Sequence, residues 1–427
     1  MYLKRKTNWL YAKFSGFSYL YRMDELPIFT AALGIEAPWY IKRVYFEMED
    51  DQSRLFIEVA HKRRTKFEYQ GNSYPVYDHQ KRRWRHLNFF QHECYLYGDI
   101  PRVKTEDGHV RLVDVPWARP GSSFTLLFEQ MVLAQIKGGM SARSAGELLG
   151  ISGKRVFRIV NNCVSTALSN QDLDTVKHLS VDETSSRRGH KYLTIMTDRD
   201  AKKVVGVAVG KSKEAFYNAL IDMEIRGSDS AEVRSVTMDM SKSYIAGVNE
   251  TMPQAEIIFD RFHIASKMNE AVDTIRRTDQ KHYKELKGSR YLWLKNNASL
   301  SEKQRAEVNM LSQAYPNIGE AYRLRELLKQ VMDDAIRSSR LTPLNNWIKE
   351  ALASQLEPIR DFVNMLHQHW YGIKAYFKNV ASNAFAERVN LKIQDIKRTA
   401  KGYRNIHNFV IMIYFHLGGL DLKTHYK

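Results

Sequence analysis

Cysteine is nearly missing from this chain of 427 residues: Cys94 and Cys163 are the only two. Two isolated cysteines build no disulfide framework, which fits a reducing compartment. Long apolar runs are missing too. The longest late one, Phe409 to Phe415, falls far short of the roughly 20 residues that span a bilayer and reads as a core helix. The opening stretch MYLKRKTNWLYAKFSGF is broken by charge throughout and carries no secretory pattern. Acidic residues are the third shortage. Asp plus Glu number 48 against 65 Lys plus Arg, a net charge of +17. That excess favours a polyanionic partner, because each neutralised phosphate releases condensed counterions. A membrane surface is the competing polyanion. With no basic amphipathic anchor, nucleic acid ranks ahead, so the expected setting is cytoplasmic and nucleoid-associated, with no membrane partner.

What is there suits a globular protein. Apolar residues make up 44% of the chain, enough for sizeable cores, and the length allows about two to four domains. Five regions separate by pattern. Residues 1–120 form a basic, aromatic module with short strand-like runs. Residues 121–172 are helical. Residues 173–260 alternate strands and helices, residues 261–380 read as all-α, and residues 381–427 return to amphipathic helix.

Ser141 to Cys163 (SARSAGELLGISGKRVFRIVNNC) reads as helix, short turn, helix. Gly150 closes the first helix and Ser152 is a natural N-cap for the second. Val156, Ile159, Val160 and Cys163 form an apolar stripe, with Lys154, Arg155, Arg158 and Asn162 off it. This is the layout of a helix-turn-helix whose second helix enters the major groove of double-stranded DNA. Two ordinary packed helices with a solvated basic face are the plain alternative. The basic run His79 to His86, with Arg82, Arg83 and Arg85, is a second candidate DNA contact, in which Trp84 is either stacked on DNA or core.

Three carboxylates stand out by position. The first strand of the α/β region ends at Asp182, its fourth strand ends at Asp239, and the helix after the all-α region carries Glu387 on its polar face. If the first and fourth strands are adjacent, the two aspartates face each other and the helix can bring the glutamate alongside. Three close carboxylates cannot all be ionised unless a cation neutralises them. Hard oxygen ligands suit Mg²⁺ or Mn²⁺, and two such ions clamp the attacking and leaving oxygens of phosphoryl transfer. Each residue has an ordinary alternative. Asp239 could cap the helix starting at Ser241, Asp182 could pair with Arg187 or Arg188, and Glu387 could make surface contacts along its helix. Glu183 follows Asp182 directly and points to the opposite face of a strand. The Glu387 helix has Ser382 as candidate N-cap, a stripe of Ala386, Val389, Ile393 and Ile396, a polar side of Asn383, Glu387, Asn390 and Gln394, and Gly402 as candidate C′ residue.

Six ordered blocks then carry a resemblance: YDHQKRRWRHL, VPWARPGSSFT, SVDETSSRRGHKYLTI, TMDMSKSYI, PQAEIIFDRFHI and SNAFAERVNLKIQDIKRTAKGYRN. With them the chain resembles the DDE transposases of the ISL3 insertion-sequence family over nearly its whole length. The resemblance implies a multidomain α+β/α protein. Its RNase H-like α/β catalytic core is interrupted by an all-α insertion and preceded by a helix-turn-helix and a small N-terminal β-containing module. It places the catalytic, metal-binding carboxylates on Asp182, Asp239 and Glu387, with two Mg²⁺ or Mn²⁺ ions. It implies binding to terminal inverted repeats, hydrolytic nicking and 3′-OH strand transfer, by a homodimer or higher assembly on DNA. Asp260 and His263 match a family segment and are candidates for active-site support. Lys397, Arg398, Lys401 and Arg404 are candidate phosphate contacts, although cations at a helix C-terminus also complement its dipole. A catalytically silent, transposase-derived DNA-binding regulator is the rival reading.

One departure from the family is visible. Members carry a Cys-rich zinc module near the N-terminus. Here Phe67, Gln70 and Thr105 stand where cysteines are expected, which leaves Cys94 and His109. A structural zinc site needs four N or S ligands, so no structural zinc is expected. The strands would then be stabilised by Tyr69, Tyr74, Tyr77 and Trp84.

Overall fold

The computed structural model describes residues 10–11, 20–21, 26–187, 189, 191–338, 340–379 and 384–422. They fall into two compact units, one of the residues up to Ser165 together with Asp421 and Leu422, the other running from Thr166 to Leu420.

The first unit begins with a two-residue pairing of β1 (Leu10–Tyr11) with β2 (Leu20–Tyr21) and the short helix α1 (Leu26–Ala32). Its body is a sheet of β3 (Trp39–Glu49), β4 (Gln52–His61), β5 (Lys66–Tyr69), β6 (Asn72–Phe89), β7 (His92–Lys104) and β8 (Val110–Leu112). The order is β3-β4-β7-β6-β5, with β8 on β7, and only β4 and β7 run parallel. Period-two alternation sends Leu55, Ile57, Val59, Trp84, Cys94 and Leu96 into one core, where Trp39 and Trp84 meet Trp117 edge-on. Trp84 is therefore core. Tyr69 and Tyr74 pack against that core, but Tyr77 is exposed and does not stabilise it, because its position on β6 faces outward.

Helices α2 (Leu126–Lys137), α3 (Ala142–Leu149) and α4 (Gly153–Ser169) follow. The expected punctuation holds. Gly150 ends α3 in the left-handed region at φ 68°, and Ser152 Oγ accepts from Arg155 N at 3.4 Å. Val156, Ile159, Val160 and Cys163 are all buried.

The second unit is built on β9 (His178–Arg187), β10 (Lys191–Asp198), β11 (Lys203–Val209), β12 (Ser235–Met238) and β13 (Glu256–Phe259). The order is β11-β10-β9-β12-β13. The first three strands form an antiparallel meander, while β12 lies parallel to both β9 and β13. Helices α5 (Lys213–Glu224) and α6 (Lys242–Thr251) cover it, with Phe216 and Tyr244 wholly buried. One boundary differs from expectation. The first strand does not stop at Asp182 but runs on to Arg187, because the β9–β10 ladder continues through Ser185↔Tyr192 and Arg187↔Lys191.

A helical region then runs through α7 (Arg261–Gln280), α8 (Arg290–Leu294), α9 (Glu302–Ala314), α10 (Pro316–Ser338), α11 (Thr342–Ala353), α12 (Glu357–Gln368) and α13 (Trp370–Asn379). Trp293 is buried there and donates to Ser289 Oγ at 2.9 Å, while Tyr291 is exposed. Last come α14 (Ala384–Thr399) and α15 (Ile406–Leu417). The stripe Ala386, Val389, Ile393 and Ile396 is buried, and α14 ends in a Schellman motif in which Lys401, at φ 53°, takes the C′ place expected of Gly402, and Gly402 follows it and donates to Lys397 O. Ser382 and Asn383 lie outside the described residues. The apolar run Phe409–Phe415 sits inside α15 and is buried except at Val410, which is half-buried. No helix among the described residues is long and apolar enough to cross a membrane.

Candidate active site

The parallel pairing of β9 with β12 joins Ser235 to His178, Val236 to Leu179 and Thr237 to Ser180. The offset is 57 residues throughout, and 182 plus 57 is 239. Continued two residues past the last recorded pair, the same register brings Asp182 on β9 beside Asp239, which lies just beyond the end of β12. Both aspartates also satisfy neighbouring backbone. Asp182 Oδ1 accepts from Glu183 N at 2.8 Å, and Asp239 Oδ1 accepts from Ser241 N at 3.0 Å across the turn into α6. Burial pushes the Asp182 carboxyl up to about 6, and the Asp239 charge beside it adds to the rise. The Glu183 N–H, His263 and the Asn390 amide pull the other way. The ordinary alternative of an Arg187 partner is not used, since Arg187 donates to Arg404 O. Arg188 lies outside the described residues.

Helix α14 docks on β9 through a ladder at helical spacing. Asn390 Nδ2 donates to Asp182 Oδ2 at 2.7 Å, Gln394 Nε2 to Thr184 Oγ1 at 2.9 Å, and Lys397 Nζ to Ser185 O at 2.8 Å. The steps of four and three residues keep all three on one face. Asn390 and Gln394 were legible as the polar face of α14, but their partners were not. The amide oxygen of Asn390 is buried with no hydrogen-bond partner among the described residues.

Glu387, one turn before Asn390, is exposed and lines a cavity of about 790 Å³. Asp260, Arg261, Phe262, Lys295, Lys329 and Tyr376 share that cavity. Asp260 caps α7 by accepting from Phe262 N at 3.1 Å, and Arg261 pairs with Asp333 at 2.6 Å. Of the two support candidates, Asp260 thus has a capping role and His263 sits within electrostatic reach of Asp182. Two level aspartates and an unpartnered amide oxygen fit a hard divalent cation. Among the described residues, no three of His, Cys, Asp and Glu stand close enough to hold a metal together, so Glu387 is not gathered with the aspartates.

The expected DNA contacts divide. Lys154, Arg155 and Arg158 on α4 are exposed, with Asn162 half-buried beside them. On β6, Arg85 is a correction. It is buried beneath Phe128 of α2, donates to the backbone of His86 and Cys94, and bonds Asn88, so it cannot reach DNA. Arg83 lies 3.7 Å over the Tyr95 ring and pairs with Glu49, while Arg82 donates to Ser122 O. At the end of α14, Arg398 is paired with Asp395, and Lys401 and Arg404 are exposed.

Three family models match the chain. A transposase family model of the ISL3 group matches residues 179–413. The helix-turn-helix domain of transposase family ISL3 matches residues 113–164, over α2, α3 and most of α4. A third model, the zinc-finger of transposases IS204, IS1001, IS1096 and IS1165, matches residues 71–104. That match corrects the expectation of no structural zinc: the stretch is a zinc-finger module of this family. The expectation rested on counting thiols, whereas the match spans β6 and β7, in which Cys94 is the lone cysteine and belongs to the core. Burial pushes the Cys94 thiol up to about 12, and Phe67 and Thr105 are buried as well. Among curated relatives, the transposase for insertion sequence element IS1557 of Mycobacterium tuberculosis is 26% identical over 93% of this chain and 96% of its own. The transposase for insertion sequence element IS1001 of Bordetella parapertussis is 25% identical over 79% and 85% respectively. With more than half its length matched by one family model, and a helix-turn-helix DNA-binding domain ahead of it, the chain belongs to the ISL3 family of transposases.

Proposed function

We propose that this transposase nicks the ends of its insertion sequence and joins the freed 3′-OH to target DNA, using Asp182, Asp239 and Glu387. The observation that carries the reading is the 57-residue register that levels Asp182 with Asp239. The strand order, an antiparallel meander flanked by two parallel strands, supports an RNase H-like core over residues 173–260 and 381–427, with residues 261–380 as its all-α insertion. Residues 121–172 are the helix-turn-helix region, reading terminal inverted repeats through Lys154, Arg155, Arg158 and Asn162, and residues 1–120 are the N-terminal module. Two ends must be held at once, which calls for a homodimer or larger assembly on DNA.

Asp182 and Asp239 would hold the Mg²⁺ or Mn²⁺ ions, and Glu387 would complete the set. Bound there, such ions supply activation of the attacking oxygen and stabilisation of the leaving 3′-oxygen. The chain's own residues do the rest. Asn390 fixes the Asp182 carboxylate, the α14 ladder sets the helix that carries Glu387, and the α4 cations orient the duplex. No protein nucleophile is needed.

The separation of Glu387 from the aspartates favours one second reading, a silent DNA-binding regulator derived from a transposase. A strand-transfer assay decides between them. DNA from the ends flanking the gene is incubated with wild type and Glu387→Gln in Mg²⁺ or Mn²⁺. Metal-dependent joining that is lost in the variant supports the enzyme. Tight end binding by wild type with neither cleavage nor joining overturns it.

A further inference from the structure

The unpartnered oxygen of Asn390 calls for an occupant. A carboxylate only accepts hydrogen bonds, so the Asn390 Nδ2 must face Asp182, at 2.7 Å, and its Oδ1 must face away. That oxygen is buried and has no donor within reach among the described residues. Among the described residues of the second unit, the other buried side-chain atoms without partners are the hydroxyls of Ser228, Thr237 and Tyr322. A hydroxyl can act as donor or acceptor, whereas an amide oxygen can only accept. An amide that served packing alone would meet a donor on both ends, because a bare buried acceptor keeps its desolvation penalty. Nor can the side chain swing out freely, since Gln394 and Lys397 anchor the same helix to β9.

We propose that Asn390 is a further member of the carboxylate site, with a role at each end of its amide. Nδ2 orients Asp182. Oδ1 is a neutral oxygen ligand for a hard divalent cation, met directly or through a coordinated water. Asparagine carbonyls are ordinary ligands for such ions. A neutral oxygen adds a ligand beside two aspartates without adding a third like charge. The inference rests on the carboxylate reading above and extends it by one residue.

Binding of Mn²⁺ to the full chain, followed by the loss of the free-ion electron paramagnetic resonance signal, tests it without any catalytic readout. Asn390→Ala and Asn390→Leu both remove the oxygen, and the leucine keeps the volume filled if the alanine variant fails to fold. Both are expected to bind Mn²⁺ about 10–100-fold more weakly than wild type, the usual effect of losing a supporting ligand. Asn390→Asp keeps an oxygen ligand but loses the donor to Asp182 and adds a charge, and is expected to bind Mn²⁺ more tightly than the alanine and leucine variants. Unchanged Mn²⁺ affinity in the alanine and leucine variants, with Asp182→Asn still impaired, overturns the role of Asn390 alone. No Mn²⁺ binding by wild type, or none lost in Asp182→Asn, overturns the carboxylate reading and this inference with it.

Discussion

Asp182→Asn is expected to stabilise the metal-free second unit while abolishing joining. The Asp182 carboxyl is held at about 6 instead of 3.8, chiefly by burial and secondarily by Asp239. An acid with a raised folded pKa binds more protons folded than unfolded, so stability falls as pH rises from about 4 to about 6 and the full penalty persists above that window. At 1.36 kcal/mol per pKa unit the penalty is about 3 kcal/mol. Asparagine carries no charge and escapes it. Its oxygen still accepts from Glu183 N, and the Asn390 amide turns over so that its bare oxygen accepts from the new Nδ2. The gain near neutral pH is therefore on the order of 2–3 kcal/mol, or roughly 5–10 °C for a unit of this size, and it vanishes near pH 4. Thermal melts in chelator across that range, read as the difference between variant and wild type, provide the measurement. Mn²⁺ should narrow the difference by stabilising wild type. A variant that melts below wild type at neutral pH, or a difference independent of pH, refutes the reasoning.

Three further outcomes are expected. Gly146→Ala places a Cβ 2.5 Å from Ile151 O, in the turn between α3 and α4, and 3.1 Å from Gly153 N, at the start of α4. It should destabilise the first unit by about 1–3 kcal/mol and weaken binding to the element ends in a gel shift, leaving the melt of the second unit unchanged. Glu129→Gln breaks a buried carboxylate that takes two 2.8 Å bonds from Arg119 and one from Ser122, and should cost about 3 kcal/mol in the first melting transition. His86 is pushed down to about 4, first by burial and then by Arg85. Its unfolded form takes a proton near 6.5 and its folded form does not, so stability is full above pH 6.5 and is lost as pH falls toward 4, by at most about 3 kcal/mol. His86→Gln should flatten that slope in the first transition.

What could be read in the sequence was whatever depends on local period. The α14 stripe, the Gly150 stop and the strand Glu256–Phe259 all follow from spacing, and the level aspartates follow from two strands being neighbours. The alternation around Trp84 also put Arg83 and Arg85 together on the opposite face of β6. That Phe128 of α2 then covers Arg85 is a tertiary event with no local signal. The same holds for Glu387. Its helix and face were legible, but the side chain's direction is set by where Asn390, Gln394 and Lys397 find partners on β9, some 210 residues away. The zinc-finger module was misjudged because thiols were counted one by one, whereas the family model matches residues 71–104 as a whole, the span of β6 and β7. The end of β9 was misplaced because an aspartate looked like a stop, whereas the hairpin partner carries the ladder five residues further.

The long span between Asp182 and Asn390 also has a consequence for gene decay. The helix-turn-helix domain is encoded before the β9 strand, while the amide that holds Asp182 comes 208 residues after it. A frameshift or early stop anywhere in that interval leaves the DNA-recognition domain intact and removes the partner of Asp182. Where the helix-turn-helix region reads the element ends as proposed, broken copies of the element would supply fragments that compete for those ends with the full-length chain, so that damaged copies restrain intact ones.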